Sequence, residues 1–323
     1  MKLTRQSWKH FLIGIGVPVL LVSSSAPAAV TEKDKVRQPR NIYELSYSFR
    51  HTFAKILSND EMRLYERHTP KEIRELNPAL YARISVDVKR WTDEWIQHIL
   101  TTGDPIPEQK LEGANRLAVK VEGILKQYFE ARGWPYRPMR VVFIPPRAFQ
   151  DDRDRGKVTG GMFIPFYPDA FFATVDWTFP IETLLVHESL HFNAEERPFG
   201  AALVEGVTDV ASRHLVRKYD LVSAGDVRRV DSYPTERKGV EFVLDRLMEK
   251  SGRSRDEAVD MLLGAYLTGD QNGLTSFFGA EAWGQVLRIS HYPRSWRPGN
   301  IDKALEGTIV PVIEVKPIRP SPN

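Results

Sequence analysis

The first third of the chain has apolar residues at helical spacing. Between residues 42 and 57 they recur every three or four positions, as on one face of a helix. Asn77-Pro78 begins a longer segment of this kind that extends to Ile99, and another runs from about Glu108 to Arg132. Tyr and Trp lie along one face of the segment that ends at Ile99, and at this spacing they indicate core packing more than a ligand platform. These residues predict a small helical bundle or cap.

The pattern changes after Pro138. Residues 139–144 are β-branched and aromatic and lie between prolines, which predicts a short strand. Residues 160–166 and 170–177 predict two more strands with a turn at 167–169 between them. We expect a small antiparallel sheet, and the edge strand of such a sheet can hold an extended peptide through its free backbone groups.

After the strands the spacing becomes helical again. The segments predicted to be helices are 183–193, 201–218, 234–250, one beginning at the capping box Ser254–Glu257, and 280–289. Residues 293–300 predict a loop. The pattern as a whole predicts an α+β, predominantly helical fold, with an N-terminal helical region (29–135), a second domain (136–307) and a proline-rich tail (308–323).

The first 28 residues resemble a secretory signal peptide. Three basic residues precede a short apolar run from Phe11 to Val22, and Ala26-Pro27-Ala28 provides a small-residue cleavage site. This predicts export, to a periplasm or the outside of the cell, with a mature chain beginning near Ala29. The apolar run is short for a membrane span, so no stable span is expected after cleavage, and an uncleaved anchor is the alternative.

The composition of the chain argues against several functional classes. The 323 residues carry a net charge of only +3, with basic and acidic residues intermixed, so nucleic-acid binding is not indicated. The chain contains no Cys, which excludes disulfides and cysteine nucleophiles. It also lacks a Gly-x-Ser-x-Gly elbow and a phosphate-binding loop.

The strongest chemical signal is the sequence His187-Glu188-Ser-Leu-His191, an H-E-x-x-H pattern inside an apolar segment. Residues i and i+4 share one face of a helix, so both imidazoles can bind one metal ion. Glu188 then lies close enough to act as general base on a metal-bound water, as in zinc metalloproteases. The alternative is an ordinary buried helix with two satisfied histidines.

A second segment, from Ala201 onward, places Glu205 and Asp209 on one helix face. Hydrolytic zinc sites typically have three protein ligands, of which two His and one Glu are a standard set, so Glu205 can be the third ligand. Asp209 can then accept a hydrogen bond from the free ring nitrogen of a ligand histidine.

The two motifs together resemble the gluzincin group of zinc metallopeptidases, which pair H-E-x-x-H with a downstream E-x-x-x-D helix. The resemblance covers roughly residues 158–215, and only thirteen residues separate His191 from Glu205, fewer than in thermolysin-like or aminopeptidase families. It implies a zincin-like catalytic domain over 136–307 and an exported peptidase that uses Zn²⁺ and acts on peptides or proteins. His187, His191 and Glu205 would be its ligands, Glu188 its base and Asp209 the orienting residue.

One stretch argues against an aminopeptidase. Gly160-Gly161-Met162 resembles the start of a glycine-methionine-glutamate-asparagine motif of one gluzincin aminopeptidase family. Phe163 and Ile164 stand where the glutamate and asparagine would be. The acid that would hold a substrate's free amine is therefore missing from this stretch.

A peptidase also needs a donor for the oxyanion, and the sequence offers Tyr233 as the first candidate, with His291 and Tyr292 behind it. His214 is expected on the helix surface and not as a ligand. Two alternatives to an enzyme stay open: a non-catalytic zinc-containing module, and a purely structural protein-interaction domain with an accidental motif. Retention of Glu188 favours the enzyme, because a structural zinc site needs no general base.

Overall fold

The computed structural model describes residues 39–102, 105–149, 160–167, 170–175, 180–194, 199–222 and 233–312. The predicted signal peptide (1–28), the start of the mature chain and residues 313–323 of the tail lie outside these ranges. The described residues belong to one unit, Pro39–Asn323. Among them, no helix is both long enough and apolar enough to span a bilayer.

Between residues 39 and 130, the structure describes five helices before the sheet, and the predictions of helix in this region are confirmed. They are α1 (Ile42–Ile56), α2 (Asn59–Arg67), α3 (Pro70–Leu76), α4 (Pro78–Thr102) and α5 (Glu108–Glu130). Two of them are very short and begin with capping boxes, Ser58 with Glu61 and Thr69 with Glu72, which satisfy first-turn N–H groups that would otherwise lack partners. The predicted core role of the aromatic stripe is also confirmed, because Trp95 is fully buried.

The described residues form a sheet of three strands, β1 (Arg140–Phe143), β2 (Gly161–Phe163) and β3 (Ala170–Ala173), in the order β1-β3-β2. The predicted antiparallel sheet is wrong in one respect: β2 and β3 pair antiparallel, but β1 and β3 pair parallel. A short connection reverses the chain between β2 and β3, whereas β1 pairs with the far side of β3. The sheet is therefore mixed, and both of its edges are short.

Strand β3 lies between two hydrophobic cores. Successive strand residues point to opposite faces, so Phe171 contributes to the core with the later helices and Phe172 to the core with α1–α4. Both rings are fully buried, and each contributes about 1.5–3 kcal/mol of hydrophobic stabilisation. The predicted domain boundary at residue 135 places α5 in the N-terminal region, but α5 packs on the Phe171 side.

In the described ranges, seven helices follow the sheet. They are α6 (Ile181–Asn193), α7 (Ala201–Lys218), α8 (Pro234–Ser251), α9 (Arg255–Thr268), α10 (Asn272–Phe278), α11 (Ala280–Ser290) and α12 (Pro298–Leu305). Helices α10 and α12 are not predicted from the sequence, and α12 begins inside the predicted loop. The predominantly helical α+β class is confirmed by this arrangement.

Helix α7 approaches α8 closely because residue 206 has no side chain. A Cβ on Gly206 would lie 2.6 Å from the backbone oxygen of Glu236 and 2.6 Å from a methyl group of Val240. We expect Gly206→Ala to lower the free energy of unfolding by about 1–3 kcal/mol through overpacking. Urea denaturation measures this free energy, and Gly123→Ala on α5 is the matched control.

Gly123 lies in a helix interior, and a Cβ added to it would have no other atom within 4 Å. Alanine there is expected to raise the free energy of unfolding by about 0.4–1 kcal/mol, because it restricts the unfolded chain. Equal effects of the two substitutions would contradict the close contact between α7 and α8.

Candidate metal centre

Helix α6 holds His187, Glu188 and His191 through local geometry. It is buried along Leu185, Val186 and Leu190 against the core on the Phe171 side of the sheet. This packing fixes the direction in which the opposite face of the helix points. The two histidines lie one turn apart on that face, with ring centroids 4.7 Å apart.

Helix α7 packs against α6 and completes the group with Glu205. Nε2 of His187 and Nε2 of His191 are 3.0 Å apart. Oε2 of Glu205 is 3.4 Å from the first of these nitrogens and 3.3 Å from the second. The three predicted ligands therefore come together, and they form the cluster that could hold a metal ion in the described part of the chain.

The spacing of these three atoms fits zinc. Bonds of about 2.0–2.1 Å at tetrahedral angles place ligand atoms about 3.3 Å apart, which matches both distances from Oε2 of Glu205, whereas the two nitrogens lie closer together, at 3.0 Å. Oε2 of Glu205 is also buried without a hydrogen bond of good geometry. A buried oxygen in this condition is costly, and a cation at the centre of the triangle would satisfy it together with both nitrogens.

The charges at the site support the same interpretation. The two nearby imidazoles hold the pKa of Glu205 well below its usual range, although burial acts in the opposite direction. Burial alone would lower the pKa of His187, but the carboxylates of Glu205, Glu188 and Asp209 raise it. The site is thus an anionic group facing two imidazoles, an arrangement that favours a positive charge between them.

Glu188 lies next to the cluster and is largely enclosed. Burial raises the pKa of its carboxyl group, while the two histidines act in the opposite direction. No hydrogen bond to another described residue occupies this carboxylate. A carboxylate whose pKa is shifted towards neutrality, with free lone pairs beside a metal site, suits a general base.

The orienting role predicted for Asp209 is wrong. Its carboxylate accepts from Nε of Arg213 at 3.0 and 2.9 Å, and Nη1 of Arg237 lies 3.2 Å from Oδ2. Arg213 is one turn further along α7, and its charged guanidinium is a stronger donor to a carboxylate than a neutral imidazole. No hydrogen bond joins Asp209 to either histidine of the described site.

Tyr266 of α9 makes the hydrogen bond that the sequence assigned to Asp209. Its hydroxyl is 2.9 Å from Nδ1 of His191. With Nε2 as the ligand atom, Nδ1 carries the hydrogen and donates a hydrogen bond to the hydroxyl of Tyr266. This bond fixes the tautomer and the direction of the ring. Tyr266 lies in a buried helix 75 positions from His191, and nothing in the sequence pattern marks it.

We expect Tyr266→Phe to weaken zinc binding by about 10–100-fold, the usual effect of removing such an outer hydrogen bond. Competition with a chromogenic chelator measures the dissociation constant. Tyr167→Phe is the matched control, because it removes a tyrosine hydrogen bond to Asp93 in the other core. Unchanged zinc affinity in Tyr266→Phe would show that Tyr266 does not orient His191 for metal binding.

Tyr233 lies beside His187, immediately before α8. The two rings are parallel, with an interplanar angle of 2° and centroids 5.6 Å apart, so Tyr233 packs against this ligand candidate and limits its rotation. Burial raises the pKa of Tyr233, and the charges of Glu205 and Glu188 raise it further. Its hydroxyl therefore remains a neutral donor at physiological pH.

The other sequence candidates are not members of the cluster. No hydrogen bond, ion pair or ring contact in the described part of the chain joins His291 or Tyr292 to the three metal-ligand candidates or to Glu188. His214 is not part of the cluster either, as predicted, but its side chain is only 12% exposed. His214 is thus largely but not fully buried, and it lines a separate cavity.

No protein-family model, no curated protein and no solved structure matches this chain. The functional argument therefore depends on the geometry of the site and on the motif.

Proposed function

We propose that this protein is a zinc-dependent peptidase of the gluzincin type that is exported and hydrolyses peptide bonds. The observation that carries the proposal is the convergence of His187, His191 and Glu205 on one point, with the free carboxylate of Glu188 beside it. The likeness to gluzincins rests on the two helical motifs, and a zincin-like domain over residues 136–307 is part of the proposal.

When bound, zinc would polarise the substrate carbonyl and lower the pKa of a bound water to about 7. Glu188 accepts the proton of the attacking water and then delivers it to the leaving amine. Tyr266 keeps Nε2 of His191 directed at the centre of the cluster. Tyr233 holds the ring of His187 in place and is the candidate donor to the oxyanion of the tetrahedral intermediate.

Strand β2 supports a peptide as the substrate. It pairs only with β3 among the described residues, so its other side is an edge. The bond from Thr174 N to Gly160 O makes these two residues a hydrogen-bonded pair, and alternation then turns the backbone groups of Gly161 and Phe163 towards that edge. The ring of Phe163 stacks on Phe192, the residue after His191, which places the edge beside the metal helix.

An unstructured protein mixture, incubated with the purified protein and analysed by mass spectrometry for new termini, tests the proposal. Cleavage should stop on chelation and return when zinc is added. A protein that binds zinc but cuts no more than a Glu188→Ala preparation would instead be a non-catalytic zinc module. The proposal includes neither nucleic-acid binding nor a stable membrane span.

A further inference from the structure

A second site is suggested by a cavity of about 600 Å³ near the C-terminal end of α7, which none of the metal-ligand candidates lines. Helices α7, α8 and α9 form its walls. Its volume lies within the range of small-molecule sites, which is about 300–1,000 Å³. Val210 is the one apolar residue in its described lining, so an apolar ligand does not fit.

The lining carries a surplus of positive charge. Five basic side chains contribute to it: Arg213, Arg217, Lys218, Arg237 and Arg255. Among the described residues of the lining, the acids are Glu241 and Asp256, which leaves a surplus of three positive charges in this part of the chain. The lining alone thus carries as much net charge as the +3 of the whole chain. Buried Asp209 lies behind the lining and bonds both Arg213 and Arg237, which reduces the surplus to two when the described residues are counted.

Internal ion pairs account for only part of this charge. Arg255 pairs with Glu241 at 2.6 Å, and Lys218 pairs with Asp256 at 3.0 Å. Arg217 has no acidic partner among the residues that the structure describes. The two helix ends at the cavity add little to its net charge, because the C-terminal end of α7 and the N-terminal end of α9 contribute partial charges of opposite sign. The surplus therefore comes from side chains.

His214 adds an unsatisfied polar atom to the same wall. Its Nε2 is buried without a hydrogen bond, and the nearest acidic oxygen, of Asp256, is 3.8 Å away. A buried ring nitrogen in this condition is unusual in a folded protein.

We propose that this cavity binds a small phosphate-bearing anion. Guanidinium groups match phosphate oxygens with paired N–H donors, and four of the five cations are arginines. The concave shape selects a small ligand. A nucleic acid would instead need a charged stripe along a surface, and the rest of this chain is nearly balanced in charge.

The test is isothermal titration of the full chain with inorganic phosphate and pyrophosphate at fixed ionic strength. The protein is first treated with a chelator, because phosphate also binds zinc. The site is then examined independently of the proposed peptidase, and failure of one proposal leaves the other unaffected. Saturable binding is the expected result.

Variants that remove positive or negative charges from the lining make the test more specific. Arg217→Gln with Arg255→Gln should weaken phosphate binding at least about tenfold, whereas Asp256→Asn should strengthen it. Arg116→Gln is the control, since Arg116 is an exposed arginine of α5 outside the cavity. Absence of saturable binding, or an equal loss in Arg116→Gln, would overturn the site. Equally tight binding of succinate would overturn the assignment of phosphate.

Discussion

Replacing Glu188 by alanine is expected to lower turnover by about 10²–10⁴-fold while zinc remains bound. The range is the usual contribution of a general base, and it corresponds to roughly 3–5 kcal/mol of transition-state stabilisation. Zinc should remain because Glu188 is not one of the three residues that form the triangle. Peptide cleavage and zinc content, measured on the same preparation, check both halves of the prediction.

Glu182→Ala is the control for this variant. Glu182 lies in the first turn of the same helix α6 and is not part of the cluster. Its loss should leave turnover close to that of the unmodified protein. Full activity in Glu188→Ala would exclude the proposed mechanism, and loss of zinc in that variant would give Glu188 a structural role.

Replacing Glu205 by alanine is expected to remove zinc at concentrations that saturate the unmodified protein. This substitution removes one of the three proposed ligands, so the decrease in affinity should exceed the roughly 10–100-fold expected for an outer partner such as Tyr266. Activity should be lost with the metal. Equilibrium dialysis, followed by elemental analysis, measures the zinc that remains.

The stability of the same variant separates a lost ligand from a damaged fold. Without metal, the carboxylate of Glu205 interacts favourably with both imidazoles, so its removal should lower the melting temperature of the metal-free protein without unfolding it. Zinc should raise the melting temperature of the unmodified protein, because it binds only the folded state, but not that of Glu205→Ala. A metal-free variant that is unfolded, or one that zinc still stabilises fully, would contradict the role of Glu205.

The parts of the site that the sequence predicts are local. His187 and His191 are four residues apart on one helix, and the apolar pattern alone places them on one face. The end of α7 at Lys218 and the capping box at Ser254 follow from equally short-range rules.

What the sequence misses depends on distant contacts. Asp209 is spaced correctly to serve a ligand histidine, but Arg237, 28 positions away, takes part in its ion pair. Tyr266 reaches His191 across 75 positions. The parallel pairing of β1 with β3 likewise depends on how the chain returns to the sheet, which short-range patterns do not encode.

Helix α12 is a different case, because a local signal was present. Pro298 occupies the first turn, where proline is favoured, and Ile301, Ala304 and Leu305 follow at helical spacing. All three are buried. The Pro, Gly and Asn residues at its start indicate a loop, and the apolar spacing of a helix this short is easily outweighed by them.

The most direct test of the metal centre is crystallographic. Diffraction data recorded on either side of the zinc absorption edge, from protein purified without a metal-affinity tag, locate the ion by its anomalous signal. One peak about 2.0–2.2 Å from Nε2 of His187, Nε2 of His191 and a carboxylate oxygen of Glu205 is the predicted result. No peak there, in crystals grown with zinc, would return both histidines to the role of core residues and contradict the proposed peptidase.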